Sequence, residues 1–348
     1  MRILVTGGSG FIGSNFIRFM LNFRADCEIV NLDALTYAGN EANLREFEGD
    51  SRYRFVHGRI EDQALVKSMM SVVDAVLHFA AESHVDRSIA DAAPFITTNV
   101  LGTQVLLDAA RQAGVVRFVH VSTDEVYGAL GREGKFTEAA PFQPRSPYAA
   151  SKAAGDLLAQ AYWQTHRLPV MIVRPSNNYG PYQFPEKLIP VMVTNLIEGR
   201  KVPVYGRGEN VRDWLHVDDC CRAIGLVLDR GRPGEAYNIG GGAERRNIEV
   251  ARLVVEQMGL AEDTIEYVPD RPGHDFRYAL DNAKIECELG WRPDVHFEDG
   301  LRRTVVWYRE HPEWWQPLKS RLDRENRGFW TGFGSAGCSP AMPRSLQT

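Results

Sequence analysis

Arg2-Ile3-Leu4-Val5-Thr6-Gly7-Gly8-Ser9-Gly10-Phe11-Ile12-Gly13 decides the fold class of this 348-residue chain. An aliphatic run ends in spaced glycines, and an amphipathic stretch follows. The run reads as a strand buried on both faces, and Phe11–Phe23 reads as a helix. Glycines at 7, 10 and 13 permit a tight turn, close approach of backbone to a ligand, and close packing of helix on strand. The helix N-terminus presents unpaired amides and partial positive charge, which suits a pyrophosphate. Glu28–Asp33 reads as the next strand, and Asp33 falls about 20 residues past the last glycine. A carboxylate there accepts hydrogen bonds from ribose hydroxyls and repels a 2′-phosphate, so the pattern predicts NAD rather than NADP.

The alternation continues along the first half. Arg54–His57, Ala75–Phe79, Arg117–Ser122 and Val170–Arg174 read as strands. Gln63–Ser71, Ala93–Gln112 and Tyr148–His166 read as the helices between them. This rhythm predicts an α/β protein, a Rossmann-like doubly wound parallel sheet over residues 1–175. A later segment, about 210–245, is expected to return to that sheet. Residues 176–318 read mainly as a smaller C-terminal substrate-binding domain. Its helices are expected near 187–199, 217–229, 247–258, 282–289 and 298–309, with Pro- and Gly-rich loops at 175–186 and 269–274. After Pro317 the composition turns to Arg, Gly, Ser and Pro, and residues 319–348 read as a loosely ordered tail.

Composition narrows the function. The net charge of -5 and pI of about 6.0 offer no basic field for nucleic acid. No apolar run approaches the length of a membrane span, and the first strand begins too early for a signal peptide. Cys27, Cys220, Cys221, Cys287 and Cys338 are odd in number and scattered, which reads as reduced thiols in a cytoplasm. No Cys/His spacing matches a zinc site, so no metal is expected.

The chemistry concentrates in Ser122-Thr123-Asp124-Glu125-Val126-Tyr127-Gly128 and Pro147-Tyr148-Ala149-Ala150-Ser151-Lys152. Tyr148 and Lys152 lie one helical turn apart on one face. A free phenol is too weakly acidic to be a base at neutral pH, and the Lys152 charge, together with that of the nicotinamide, is expected to favour its phenolate. Thr123 can hydrogen-bond a substrate hydroxyl. Together the three can oxidise an alcohol by passing hydride to NAD. Asp124 and Glu125 have no task in that step. They suggest a second reaction after the oxidation, in which one carboxylate removes a proton beside the new ketone while a carboxylic acid protonates a leaving group. The residues alone do not say which carboxyl does which.

The glycine pattern, the Tyr-x-x-x-Lys pair and the chain length resemble the extended short-chain dehydrogenase/reductase family, which acts on nucleotide sugars. DALTYAGN at 33–40, FAAESHVDRSI at 79–89, STDEVYG at 122–128, SPYAASK at 146–152, NNYGPYQFPEKLIP at 177–190, RDWLHVDD at 212–219 and DRPGHDFRYALD at 270–281 are similar, within it, to dTDP-glucose 4,6-dehydratases. The resemblance implies dehydration of dTDP-glucose to a 4-keto-6-deoxy sugar with tightly held NAD. It implies Glu125 as the C5 base and Asp124 as the C6 acid. It implies cofactor contacts from Gly7, Gly10, Phe11, Ile12, Gly13, Asp33, Ala34, Leu35, Thr36, Ile60, Ala80, Ala81, Ser83, Asn99, Tyr148, Lys152 and Asn178. Substrate contacts are implied for Ser83, Thr123, Asn177, Lys187, Leu188, Pro203, Tyr205, Arg212, Asn247, Asp270, Arg271, His274 and Tyr278. Arg212 is expected on a diphosphate oxygen. A homodimer is implied too, through helices near 93–112 and 148–166.

Two positions depart from the family pattern. Arg59 stands where an acidic residue often contacts adenine; it cannot accept that hydrogen bond, though it can stack on the base. Pro175-Ser176 replaces a Cys-containing form. Rival readings are the same dehydration on UDP-, CDP- or GDP-glucose, a nucleotide-sugar epimerase or decarboxylase, and a non-catalytic NAD sensor. His84 and His216 receive no chemical role.

Overall fold

Ile3 and Val5 pack into one core and Leu4 into another, all fully buried. A strand that feeds cores on alternate faces must be covered on both sides. In the computed structural model, which describes residues 1–270 and 274–325, that strand lies inside a parallel sheet. The strands in chain order are β1 (Arg2–Thr6), β2 (Glu28–Asp33), β3 (Tyr53–His57), β4 (Ala75–His78), β5 (Arg117–Val121), β6 (Val170–Pro175), β7 (Asn177–Tyr179), β8 (Val202–Tyr205), β9 (Val211–His216), β10 (Ala236–Ile239), β11 (Glu244–Arg246) and β12 (Ile265–Val268). The 7-stranded sheet runs β10-β6-β5-β4-β1-β2-β3. All its pairings are parallel. The chain order reverses between β1 and β4, the switch point of a Rossmann-like doubly wound sheet.

Helices Phe11–Phe23 and Val217–Arg230 cover one face, and Gln63–Met70 and Thr103–Ala113 cover the other. β7, β9 and β11 form a small sheet of their own, and between β9 and β11 the chain returns to the main sheet as β10. β8 and β12 form a parallel pair. A third core of Tyr179, Met192, Trp214, Ile248, Leu301 and Trp315 lies beneath these smaller elements.

Several elements differ from the sequence expectation. The helix read over 93–112 is broken by a π-helical turn at Ile96–Gly102. Gly102 lies there so close to Ile60 that a Cβ would meet Ile60 Cδ1 at 2.5 Å. β7 forms inside the segment read as loop, and Val85–Ala90 is helical. The larger correction is at the end of the chain. Pro312–Glu325 is a helix with Pro317 inside it, so the tail read from residue 319 does not begin there. Trp315, Leu318 and Leu322 are buried at helical spacing, and this apolar face outweighs the proline. Residues 326–348 of that expected tail, and Arg271, lie outside the described residues.

Gly7 has φ 71°, and a Cβ there would meet Ala80 N at 2.5 Å. Gly114 has a similar φ of 69°, but nothing stands within 4 Å. Gly7→Ala is expected to cost more than about 2 kcal/mol and Gly114→Ala about 1 kcal/mol. Urea unfolding of both variants checks the order, and equal losses would contradict it.

Candidate active site

A cleft of about 320 Å³ opens at the carboxyl ends of β1, β2, β4, β5 and β6. The glycine turn forms its floor. Gly13 packs against Gly7, where a Cβ would lie 2.3 Å from Gly7 O. At Gly10 the nearest atom to such a Cβ is Gly7 O at 3.3 Å, so this glycine keeps space open for a ligand. No side chain caps the helix that starts at Phe11, which leaves its first-turn amides facing the cleft. Asp33 accepts from Ser9 N at 2.9 Å and Leu35 N at 2.8 Å. Burial raises its pKa, and those two amides oppose the rise. Its carboxylate is thereby oriented on the wall. Ala34, Thr36, Ile60, Ala80, Ala81, Ser83 and Asn178 line the same cleft. Asn178 Oδ1 is buried without a protein partner. These features fit a bound NAD.

Thr123, Asp124, Glu125, Tyr148 and Lys152 meet at one end of this cleft. Thr123 caps a short 3₁₀ turn, Asp124–Tyr127, by accepting from Glu125 N at 3.3 Å. The turn folds the two carboxyl groups back beside the β5 end. Asp124 is buried, and its pKa is pushed up to about 8 by desolvation first and then by the charges of Glu125 and Asp213. At neutral pH it is therefore a carboxylic acid, while Glu125 is half-buried beside it. Ser146 caps the helix Pro147–His166 and sets Tyr148 in its first turn. Lys152 Nζ donates to Val121 O at 2.7 Å.

Tyr148 is held above its ordinary pKa, by burial first and then by the Glu125 charge; hydrogen bonding to Thr123 opposes this. Burial likewise lowers Lys152 to about 8, against the pull of Asp156. Lys152 alone thus does not make the phenolate; further positive charge must enter the cleft with the cofactor.

The substrate residues divide into two groups. Ser83, Asn177 and Lys187 line the cleft, and Asn177 Oδ1 is a buried acceptor without a protein partner. Leu188, Pro203, Tyr205, Arg212, Asn247, Asp270, His274 and Tyr278 do not line it. Most of these gather around β8, β9 and β12. His274 Nδ1 lies 2.7 Å from Asp270 Oδ1 and its ring stands edge-on to Tyr205. Arg212 donates to Val211 O at 2.8 Å and Asp275 O at 3.0 Å, and its guanidinium stacks on Tyr278 at 4.5 Å. Its donors are thus drawn into backbone contacts that the diphosphate role did not anticipate. Its charge still reaches Asp124, which it pulls down. Two cofactor expectations also shift. Leu35 contributes its backbone amide to Asp33. Asn99 lies behind the wall, where its amide group bridges Glu82 N, Glu82 O and Ser151 Oγ.

Residues 4–304 match the family model described as GDP-mannose 4,6 dehydratase. The chain belongs to the nucleotide-sugar 4,6-dehydratase family. It is 56% identical to a dTDP-glucose 4,6-dehydratase of Streptomyces niveus over 324 residues, 92% of this chain and 96% of that one. A solved dTDP-glucose 4,6-dehydratase of Streptomyces venezuelae with NAD bound is 57% identical, with a TM-score of 0.89, covering 91% of this chain and 100% of that chain. The UDP-glucose 4-epimerase of Thermus thermophilus, solved with NAD, shares 33% identity at a TM-score of 0.82, covering 89% of this chain and all of the other, 100%. Dehydratases and epimerases therefore share this fold, and the cofactor of the family is NAD.

Sequence reading missed the dehydratase-family site's inner support. Asp156, fully buried, pairs with Arg174 at 2.8 Å and faces His120 at 3.4 Å. Arg174 donates to Tyr127 O–H at 2.7 Å, and Tyr127 donates to Asn238 at 2.8 Å. The position of Asp156 one turn beyond Lys152 was the available signal. Glu82, Gln183, Phe184 and Glu186 line the cleft and were not singled out either; Arg59 and Glu61 stand together on its wall. His84 and His216 are helix caps outside the lining. Among the described residues no acidic, His or Cys cluster could hold a metal, and no helix is long and apolar enough to cross a membrane.

Between the unfolded value of 3.8 and the folded value of about 8, Asp124 keeps a proton that the unfolded chain releases. Stability therefore falls as pH rises through that window. Asp124→Asn removes this titration and should raise the melting temperature by a few degrees at about pH 7 and by less at about pH 4. Thermal unfolding at both pH values measures it, and a pH-independent gain would mean that Asp124 does not hold the proton.

Proposed function

We infer that the chain dehydrates dTDP-glucose to dTDP-4-keto-6-deoxy-glucose, with NAD as a resident cofactor. The observation that carries this reading is Asp124, kept as an acid by burial and set beside Glu125 at the Tyr148 end of the cleft. An epimerase, on the same fold, has no departing hydroxyl for such an acid to protonate. The relatives named dTDP-glucose 4,6-dehydratase at 52–56% identity support dTDP as the nucleotide.

Bound NAD supplies the hydride acceptor for C4 and the hydride donor for C6. Tyr148 takes the proton of the C4 hydroxyl, with Thr123 hydrogen-bonded at the same oxygen. Lys152 adds positive charge one turn along the helix. Glu125 removes the C5 proton, which the new ketone has made acidic. Asp124 gives its proton to the C6 oxygen, which leaves as water. A proton then returns to C5. The sugar loses one water, and the cofactor ends as it began.

Ser83, Asn177 and Lys187 hold the sugar diphosphate on the cleft side. Tyr205, Asn247, Asp270 and His274 hold the nucleoside; the buried, unpartnered Asn247 Oδ1 supports a ligand contact there. The free thiols Cys27, Cys220 and Cys221 are buried, in keeping with a reducing cytoplasm.

In deuterated water dTDP-glucose should give a 4-keto-6-deoxy sugar with deuterium at C5, followed by NMR. Tyr148→Phe should slow C4 oxidation about a hundredfold or more. Glu125→Gln should still oxidise C4 and stall with the absorbance of reduced nicotinamide. A deuterium-free C5 or an epimerised product overturns the mechanism. Turnover of UDP-, CDP- or GDP-glucose in preference overturns the nucleotide.

The chain works as a homodimer through the helical segment 93–112 and the helix Pro147–His166. Ile96 (52% exposed) and Leu101 (49%) in the π turn and Leu157 (56%) on Pro147–His166 support this, as aliphatic side chains left on the surface. Leu157→Asp is expected to sediment as a monomer, and a parent protein that already sediments as a monomer rules the dimer out.

A further inference from the structure

The helix Pro312–Glu325 begins after the family model's match ends at residue 304, and no catalytic step uses it. Its contacts reach both sides of the cleft. On the substrate side Lys319 Nζ is buried and donates to Thr194 Oγ1 at 2.8 Å and Asn195 Oδ1 at 2.7 Å, and it pairs with Glu198 at 2.9 Å. Trp315, fully buried, donates to Tyr308 O at 2.8 Å. These contacts fix the helix to the third core.

An adjoining part of the same helix holds the cofactor side. Trp314 Nε1 donates to Asn43 Oδ1 at 2.8 Å, and Asn43 Nδ2 donates to Ser9 O in the glycine turn at 2.9 Å. Arg321 donates to Tyr37 O. Leu318 and Leu322 close with Phe184 over Tyr37 and Ala38. Tyr37 is itself wedged between Phe184, edge-on at 5.7 Å, and the Arg87 guanidinium at 4.0 Å. Ala34, Thr36, Ala38 and Gly39 of this segment line the cleft beside Asp33. Residues 34–40 form neither helix nor strand, and Leu35 sits at φ 48°. A segment with so little regular structure needs anchors from elsewhere to stay ordered.

We propose that Pro312–Glu325 is a strap in which Trp314, Arg321 and Leu322 hold residues 34–43 closed over NAD, so that the cofactor stays bound through a whole turnover. The proposal rests on NAD acting as the resident cofactor. The reaction requires such retention: hydride taken at C4 must return to C6 of the same sugar, and a cofactor that leaves between the two steps strands an oxidised sugar. Trp314, Arg321 and Leu322 are positioning residues, acting through the segment they hold.

Trp314→Phe, Arg321→Ala and Leu322→Ala test it. Each should release NAD at least about tenfold faster, read as cofactor retained after gel filtration. In cofactor-free protein, amide hydrogen exchange over residues 34–43 should quicken while β5 stays protected. Arg321→Lys keeps a donor and should recover most of the retention. Added NAD should restore turnover. Trp314→Phe keeps an aromatic ring and removes only the donor, so it remains decisive if Leu322→Ala fails to fold. Parent-like NAD release and parent-like exchange over 34–43 in Trp314→Phe and Arg321→Ala would overturn the strap. A parent protein that neither retains NAD nor converts a nucleotide sugar would instead overturn the functional reading.

Discussion

No side chain fits at Gly7. Its Cβ position falls 2.5 Å from Ala80 N, and that of Gly13 falls 2.3 Å from Gly7 O. The end of β1, the exit of β4 and the first turn of the Phe11–Phe23 helix therefore touch through backbone alone. This contact sets the switch point of the sheet, and the cleft opens there. Helix amides, the Asp33 carboxylate and the β5 end all face that cleft because the backbone elements meet so closely. A methyl group at Gly7 would push them apart.

A second constraint sits behind the reacting groups. Asp156 and Arg174 are both buried, and an unpaired charge at that depth would be costly. Their pairing, extended through Tyr127 to Asn238, ties the Tyr148 helix to β6, to the turn that bears Asp124 and to β10. The acid and the phenol are thus fixed from behind by one polar network. The same low-polarity surroundings raise Asp124 and lower Lys152. Stability and the proposed chemistry pull in opposite directions at Asp124: its burial costs folding free energy near neutral pH and keeps the proton that the proposed elimination would use.

Much of this was legible in the chain. The alternation of aliphatic runs with amphipathic stretches placed β1, β2 and the Phe11–Phe23 helix at their observed bounds. Three glycines and Asp33 located the cofactor cleft, and Thr123, Asp124, Glu125, Tyr148 and Lys152 were brought to one place as their motifs implied. The helix Pro312–Glu325 was hidden, because Pro317 and the polar composition around it mask a buried face that only its partners reveal. The π turn at Ile96–Gly102 was hidden too, because a helical apolar pattern does not distinguish it from an α-helix. The bonds of the Asn99 amide to Glu82 and Ser151 were not legible in the chain, since they join residues distant in sequence.

The sequence by itself determined the layer architecture, the cofactor and the candidate residues that the cleft brings together. Those follow from periodicity, from glycine's missing side chain and from the functional groups that the motifs contain, all of them local properties. The tertiary structure alone decided the protonation of Asp124 and Lys152, the buried Asp156–Arg174 pair and the packing of Pro312–Glu325 against Tyr37, Ala38 and Asn43. Each of these depends on which distant segments exclude water from a group or pair with it, and burial and charge proximity are properties of the folded arrangement.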